Sequence, residues 1–308
     1  MNGYIAAAVA VLIAASYPVA TRAAVTGAFL PQELVTLRFG VAALLFLPYL
    51  LVQFRTIGRE AWLRGVPLTL FQGAGMVALV ICGLQFAPAS HQGALGPGTV
   101  PAWVALLGFL VFARRPAPRI MVGAGLCAIG VIALTLSSSA KGNPGVLTGD
   151  AMFLAASALA ALYALQLRHW GVSAIQAAAI VTVYSAAVVV PWYLWSAAQP
   201  LWHAAPLELI WQIVWQGVLT GCVSLIALNH AIARLGAERT SALVALVPVL
   251  SATLGAVFLG ELPSLAECAA ILTVSLGVSI GAHPGYGGSP ASTSAPMRRA
   301  ACGLSRPG

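Results

Sequence analysis

The sequence predicts an all-α integral membrane protein with ten transmembrane helices arranged as two inverted five-helix repeats. Of the 308 residues, 60% are hydrophobic and 7% are charged, whereas soluble proteins carry about 25% charged residues. The apolar residues form successive runs of about 20 residues, the length that crosses the ~30 Å hydrocarbon core of a bilayer. A soluble fold could not cover this much apolar surface with polar groups.

The second observation is an internal repeat. Residues 90–136 align without a gap on residues 237–283 when they are shifted by 147 positions, with eight identical residues. Pro101 then falls on Pro248, and three further proline or glycine positions match in the same way. Since proline and glycine set backbone geometry, the two segments are expected to share a shape.

The repeat predicts the topology of the chain. Its halves are residues 1–138 and 147–283, and an offset of 146 also places Tyr17 on Tyr163. Each half holds five helices, so the second half enters the membrane from the opposite side. Such inverted halves support two nearly equivalent conformations that open to opposite faces around a site between them. The repeat therefore predicts transport by alternating access.

The individual helices are placed by apolar runs between prolines, which break helices and punctuate loops. The first run lacks a basic segment before it and is interpreted as a retained helix rather than a signal peptide. The predicted helices cover about residues 3–21, 33–53, 65–86, 92–112, 119–136, 148–168, 174–197, 207–230, 240–260 and 264–283. Residues 284–308 are rich in Gly, Ser and Pro and predict a disordered cytoplasmic tail.

Arginine placement predicts the orientation. Twelve arginines fall in the tail and in the loops on one side, whereas only Arg22 and Lys141 fall in loops on the other side. Positive charge concentrates in cytoplasmic loops. Both termini are therefore expected to be cytoplasmic.

A family resemblance rests on the repeat, on the intramembrane Arg38, and on the end of the ninth helix. There Pro248 is followed by Gly260-Glu261-Leu262-Pro263 and then by Gly277-Val278. In these features the chain resembles the EamA type of the drug/metabolite transporter superfamily over residues 3–283. The resemblance implies a multi-pass protein of a bacterial-type inner membrane that carries, and usually exports, small metabolites, amino acids or drugs.

Arg38 is the first candidate substrate-binding residue. A charge within a membrane span is costly and usually has a function. It could contact an anion or carboxylate, but snorkelling to the interface and a structural bond to backbone carbonyls are open alternatives.

His91 and Gln92 precede a predicted helix break at Gly96-Pro97-Gly98. Non-helical backbone at membrane depth is tolerated where it lines a cavity or is buried in protein. The break could present polar groups to a substrate, or it could be a kink that lets helices pack closely. Pro101 and Pro248 are expected to shape the corresponding helices in the two halves.

Other polar or aromatic residues within the spans are weaker candidates for substrate binding. For the tyrosines and glutamines among them, an interhelical hydrogen bond is the competing interpretation. Trp103 could stack on a substrate. These candidates are Tyr17, Gln72, Trp103, Tyr163 and Gln166. The candidates for coupling to protons are His230, Glu238 and Glu261, with an interfacial role for His230 and a loop-fixing role for Glu261 as alternatives.

Several function classes are disfavoured. No basic stripe with interleaved aromatics indicates nucleic-acid binding, and no Cys/His cluster indicates a metal. Gly277–Gly281 matches a hydrolase G-x-S-x-G pattern, but it lies in a predicted apolar helix instead of a strand–turn–helix. The expectation is a secondary transporter of a small molecule in the lipid bilayer, without cofactor or enzymatic activity. A non-transporting scaffold or receptor is the alternative, and a homodimer is left open.

Overall fold

The computed structural model describes residues 2–112, 116–140, 144–196 and 204–282, and these residues contain helices and no strand. The helices are α1 (Gly3–Val25), α2 (Pro31–Gln53), α3 (Arg59–Gln72), α4 (Ala74–Phe86), α5 (Ala89–Leu95), α6 (Val100–Phe112), α7 (Pro118–Ala140), α8 (Pro144–Trp170), α9 (Ala174–Ser196), α10 (Pro206–Gln212), α11 (Ser224–Leu235), α12 (Ala237–Val244), α13 (Val247–Leu259) and α14 (Leu265–Ala282). A π-helical segment, Ile213–Val223, joins α10 to α11.

The helices lie at the approximate positions of the predicted apolar runs. Among the described residues, nine helices or helix pairs are long and apolar enough to cross a membrane, and Leu265–Gly281 is a shorter apolar helix. Several helices extend beyond their predicted ends: α1 continues to Val25, α7 to Ala140 and α11 to Leu235, and α3 begins at Arg59. The predicted tail, residues 284–308, lies outside the described residues.

Many large apolar side chains point away from the protein core, as a lipid environment requires. Leu70, Leu194 and Leu265 are 70%, 74% and 90% exposed. Soluble monomers rarely expose extended apolar patches. The backbone polar groups are meanwhile satisfied within helices, which is the condition for crossing a bilayer. The chain is a multi-pass membrane protein.

The third predicted span is interrupted at Gly73, between α3 and α4. A Cβ atom on Gly73 would lie 2.3 Å from the carbonyl oxygen of Thr69 and 2.7 Å from Oγ of Ser185. The Ala74 N–H instead donates to Ser185 Oγ at 3.2 Å. Glycine is therefore required for this close approach, and the hydroxyl from α9 satisfies a backbone donor that the break leaves free.

Breaks also occur at matching places in the two halves. Residues 96–99 separate α5 from α6, and residues 245–246 separate α12 from α13. Pro101 and Pro248, 147 positions apart, each lie in the first turn of the helix that follows. Proline is well tolerated there because the first helical N–H groups have no intrahelical acceptor.

Helices α7 and α14 pack closely through small residues. A Cβ atom on Gly123 would lie 2.6 Å from the carbonyl oxygen of Gly277, and one on Gly130 would lie 2.9 Å from that of Ala270. Small residues let helix backbones approach within a membrane. This contact joins the last helix of the first half to the last helix of the second half.

Candidate functional site

A cavity of about 350 Å³ lies between the two halves of the chain. Helices α1, α2, α4 and α8, the end of α3, α9, the π-helical segment, α11 and the end of α12 all contribute to its wall. The lining is mostly apolar, with a few polar groups. This composition and size are typical of small-molecule sites. The polar lining residues are Arg38, Gln72, Tyr163, Thr182, Thr220 and Ser224.

Arg38 brings a positive charge to this cavity from the second turn of α2. Its Nη1 atom is buried and has no hydrogen-bond partner in the described residues. Its Cζ atom lies 5.1 Å from the centroid of the Tyr17 ring, which is a cation–π distance. Tyr17 is buried on α1. The aromatic ring therefore holds the guanidinium without neutralising it.

Gln72 lies at the end of α3, immediately before the break at Gly73. Its Oε1 atom is also buried without a partner. A buried polar atom that lacks a partner costs free energy, about 1–3 kcal/mol. Two residues of the cavity wall, Arg38 and Gln72, thus each carry a buried polar atom that the protein leaves unsatisfied.

An ion pair lies at one end of the molecule, here called the outer end, where α1 and α4 end. Arg22 Nε donates to Glu261 Oε1, and Arg22 Nη1 donates to the carbonyl oxygen of Ala87 at 2.8 Å. The other Glu261 oxygen accepts from the Ala89 N–H at 3.0 Å. Arg22 was assigned to a loop in the arginine count, but it lies in the last turn of α1. The Gly-Glu-x-Pro segment of the second half is fixed to the first half.

A second polar cluster is buried near the same end. His91 Nδ1 lies 2.8 Å from Asp150 Oδ1, and the two side chains are 2% and 3% exposed. The Ser138 hydroxyl lies 3.4 Å from His91 Nε2 and donates to the carbonyl oxygen of Leu134 at 2.9 Å. The second Asp150 oxygen, Oδ2, is buried without a partner.

Ser138 contacts His91, which in turn contacts Asp150, as in the triad of a hydrolytic enzyme. The cluster nevertheless lacks the access that catalysis needs. All three residues are almost fully buried. The Ser138 hydroxyl lies closer to the Leu134 carbonyl oxygen, at 2.9 Å, than to the imidazole, at 3.4 Å. These contacts favour a structural or proton-binding role over nucleophilic chemistry.

The structure separates the predicted site residues into groups. Arg38, Gln72, Tyr163 and Pro97 line the cavity, and Tyr17 lies beneath Arg38. The other predicted residues lie outside its lining, although Gln92 approaches the break, with Nε2 2.8 Å from the position of a Cβ on Gly96. Those outside are His91, Gln92, Gly96, Gly98, Pro101, Trp103, Gln166, His230, Pro248 and Glu261. Glu238 lies in α12, and its side chain falls outside the described part of the chain.

Sequence reasoning missed Asp150 and the partner of Arg22. Asp150 is the sole aspartate of the chain and lies inside a predicted span, which was the available signal. Its partner is 59 positions away, so no local pattern pairs the two residues. The hydroxyl groups of Thr182, Thr220 and Ser224 were also missed, since serine and threonine are common in membrane helices.

Comparisons with known proteins give a family and a fold. The sequence model of the EamA-like transporter family matches residues 1–136 and 147–280. A solved structure described as "Crystal structure of protein" has a TM-score of 0.61 and 19% identity, covering 90% of this chain and 95% of that chain. That similarity concerns the fold alone. No curated protein matches the chain.

Proposed function

The chain belongs to the EamA-like transporter family, and we propose that it is a secondary transporter of a small metabolite with an anionic group. The buried, unpaired Nη1 of Arg38 in the cavity carries this proposal. The proposed mechanism is alternating access, and the proposed direction is export from the cytoplasm across an inner membrane. Membership of the family confirms the resemblance and agrees with a transport role.

The chemistry of the cavity favours an anionic group on the substrate. A guanidinium in a site of low dielectric attracts a carboxylate or phosphate and binds it through two parallel hydrogen bonds. Arg38 has no acidic partner in the described residues, and the Tyr17 ring supports it without adding a negative charge. Gln72 Oε1 would accept a hydrogen bond from a donor elsewhere on the substrate. An amino acid or a similar zwitterion satisfies both groups.

The arrangement of the helices supports alternating access. The outer end is closed by Arg22 and Glu261, while the cavity reaches towards the opposite end through Ala178 near the start of α9 and Leu228 on α11. By the arginine count, that opposite end is cytoplasmic. The conformation is thus one that would load substrate from the cytoplasm, as export requires.

The predicted coupling residues differ in their surroundings. His230 is half-buried on α11, near the end proposed to be cytoplasmic. Glu261 has both carboxylate oxygens engaged, which favours its loop-fixing alternative. Proton coupling through His230 or Glu238 stays a prediction.

Counterflow in proteoliposomes tests the proposed function. Purified protein is reconstituted with pools of amino acids, other organic acids, nucleosides, sugars or polyamines inside, and exchange is followed with labelled solutes. We expect saturable exchange of a carboxylate-bearing class and none with polyamines. Exchange of polyamines alone would refute an anionic substrate. No exchange in any pool from folded protein would favour the alternative of a membrane scaffold or receptor.

A further inference from the structure

The His91–Asp150 pair joins the two halves of the chain. His91 lies on α5 and its neighbour Ser138 on α7, both within the first half, whereas Asp150 lies on α8 in the second half. The pair is almost fully buried. A motion that moves α5 away from α8 at the outer end must break this contact.

Helix α5 is held on two sides at this end. The Ala89 N–H donates to Glu261, and a Cβ on Gly93 would lie 2.6 Å from Ser251 Cβ on α13. On its other side His91 contacts Asp150. A conformation open to the outer face therefore requires α5 to part from one of these neighbours, and the charged contact is the one that a change in protonation can weaken.

The environment of the pair is otherwise poor in charge. Arg22 and Glu261 contact the backbone of Ala87 and Ala89 at the start of α5. Their opposite charges compensate each other in the ion pair. Glu267 on α14 accepts from the Ser264 N–H at the start of its own helix, and Arg119 lies at the far end of α7. The α8 groups Tyr163, Arg168 and His169 lie at least 13 residues beyond Asp150, about 20 Å along a helix. The remaining titratable side chains on the helices packed against α5 are Tyr4, Tyr17, Cys82, Cys127 and Cys268.

From this geometry we infer that Asp150, with His91 as its partner, is a proton-binding site that couples a proton to the movement of the two halves. The ligand is a proton, and the free Asp150 Oδ2 atom is where it binds. The inference rests on the proposed transport function and adds the driving ion to it.

The physical consequence follows from the charge of the pair. When the carboxylate is ionised, it attracts the imidazole in a dry environment, and separating the two leaves a buried charge without a partner, which is strongly unfavourable. Binding of a proton to the carboxylate removes its charge, so the contact becomes an ordinary hydrogen bond and separates more readily. Proton binding therefore favours opening at the outer end, and deprotonation favours the closed arrangement described here.

Two buried hydroxyl groups, those of Ser157 and Thr99, lie on the cavity side of Asp150. Ser157 lies two helical turns after Asp150 on the same face of α8, and its Oγ accepts a hydrogen bond from Thr99 at 2.8 Å. Thr99 ends the break that contains Pro97, and Pro97 lines the cavity. Buried hydroxyl groups thus lie between the proton site and the substrate cavity.

The test compares two assays on the same proteoliposomes with the solute class that exchanges in counterflow. Counterflow at equal pH needs no proton movement, whereas accumulation driven by a pH difference does. One pH unit supports up to about tenfold accumulation at one proton per solute. For Asp150→Asn we expect counterflow to be retained and the accumulation to be lost. Glu267→Gln, which neutralises another buried carboxylate of the outer end, is the matched control and should keep both.

The outcomes separate the two proposals. Absence of counterflow in the native protein would refute transport itself. Counterflow without any response of the native protein to the pH difference, or an undiminished response in Asp150→Asn, would refute the proton site.

A direct readout covers the case in which Asp150→Asn does not fold. The double variant His91→Gln/Asp150→Asn removes both titratable groups, so that no buried charge is left without a partner. Infrared difference spectra of the native protein against pH should contain a carboxylic-acid band that the double variant lacks, while Glu267→Gln retains it. An unchanged set of carboxyl bands in the double variant would overturn the inference.

Discussion

Cys127 lies against its own counterpart in the repeat: its Sγ atom is 3.7 Å from the carbonyl oxygen of Val274, 147 positions later in the chain. The same offset makes Ala270 the counterpart of Gly123 and Gly277 the counterpart of Gly130. Gly123 faces Gly277 and Gly130 faces Ala270, so each of these glycines contacts the counterpart of the other. A self-complementary pattern of this kind arises around a two-fold axis. The α7–α14 contact supports a pseudo-two-fold relation between the halves at this point, which is the symmetry found in transporters built from inverted repeats.

The first prediction concerns this contact. Gly123→Ala should lower the thermal stability of the purified protein, because a Cβ there would lie 2.6 Å from the Gly277 carbonyl oxygen. Overpacking of this kind costs about 1–3 kcal/mol. Gly125→Ala is the control two residues away, where a Cβ meets no atom within 4 Å. Equal melting temperatures for the two variants in detergent would contradict the close packing of α7 and α14.

The second prediction concerns Arg38. Arg38→Ala should reduce the affinity for the transported solute roughly 10- to 100-fold, since hydrogen bonds to charged groups contribute about 1.5–3 kcal/mol. The exposed Arg55→Ala is the control for loss of one positive charge. The measurement is the solute concentration for half-maximal counterflow, with folded protein verified by gel filtration. If Arg38→Ala fails to reach the membrane as folded protein, the residue is structural.

The third prediction concerns the break between α3 and α4. Gly73→Ala should impair transport, because its Cβ would clash with the Thr69 carbonyl oxygen and with Ser185 Oγ, and would displace the adjacent Gln72. Gly75→Ala should have little effect, since a Cβ there meets nothing within 4 Å. Initial rates of counterflow for the two variants provide the comparison. Similar rates would show that the position of Gln72 does not matter for transport.

The fourth prediction concerns the closure of the outer end. Arg22→Met removes the partner of Glu261 and the bond to the Ala87 carbonyl oxygen. We expect the outward-open population to rise, so that a cysteine introduced at the buried Ala24 reacts faster with a membrane-impermeant maleimide from outside. Arg234→Met, an exposed arginine at the other end of the protein, should not change this rate. An unchanged rate in Arg22→Met would show that the ion pair does not hold this end closed.

The fifth prediction concerns orientation. Reporter fusions at Lys141 and at the C-terminus should lie on opposite sides of the membrane, because the arginine distribution places both termini in the cytoplasm. Alkaline phosphatase and green fluorescent protein fusions report the two sides. Signals from the same side would overturn the orientation, and the outer end would then have to be reassigned.

The helices were predictable because a bilayer demands long apolar runs. The break at Gly73 was not, since only the approach of Ser185 from α9 shows why a glycine is needed there. The end of α1 was placed too early because Arg22 is charged, and its partner lies 239 positions away. Arg38 and Gln72 were predicted as candidates from their polarity within a span, whereas Asp150 was not considered although the same signal was present.

Distances between spin labels test alternating access most directly. One pair of labels, at Thr26 and Leu262, spans the outer end. Another pair, at Ile175 and Ile232, spans the opposite end. All four residues are exposed. On addition of the solute class identified by counterflow, a second population should appear in which the outer distance is longer and the opposite distance is shorter. Distances that stay fixed at both ends, or that lengthen together, would contradict alternating access.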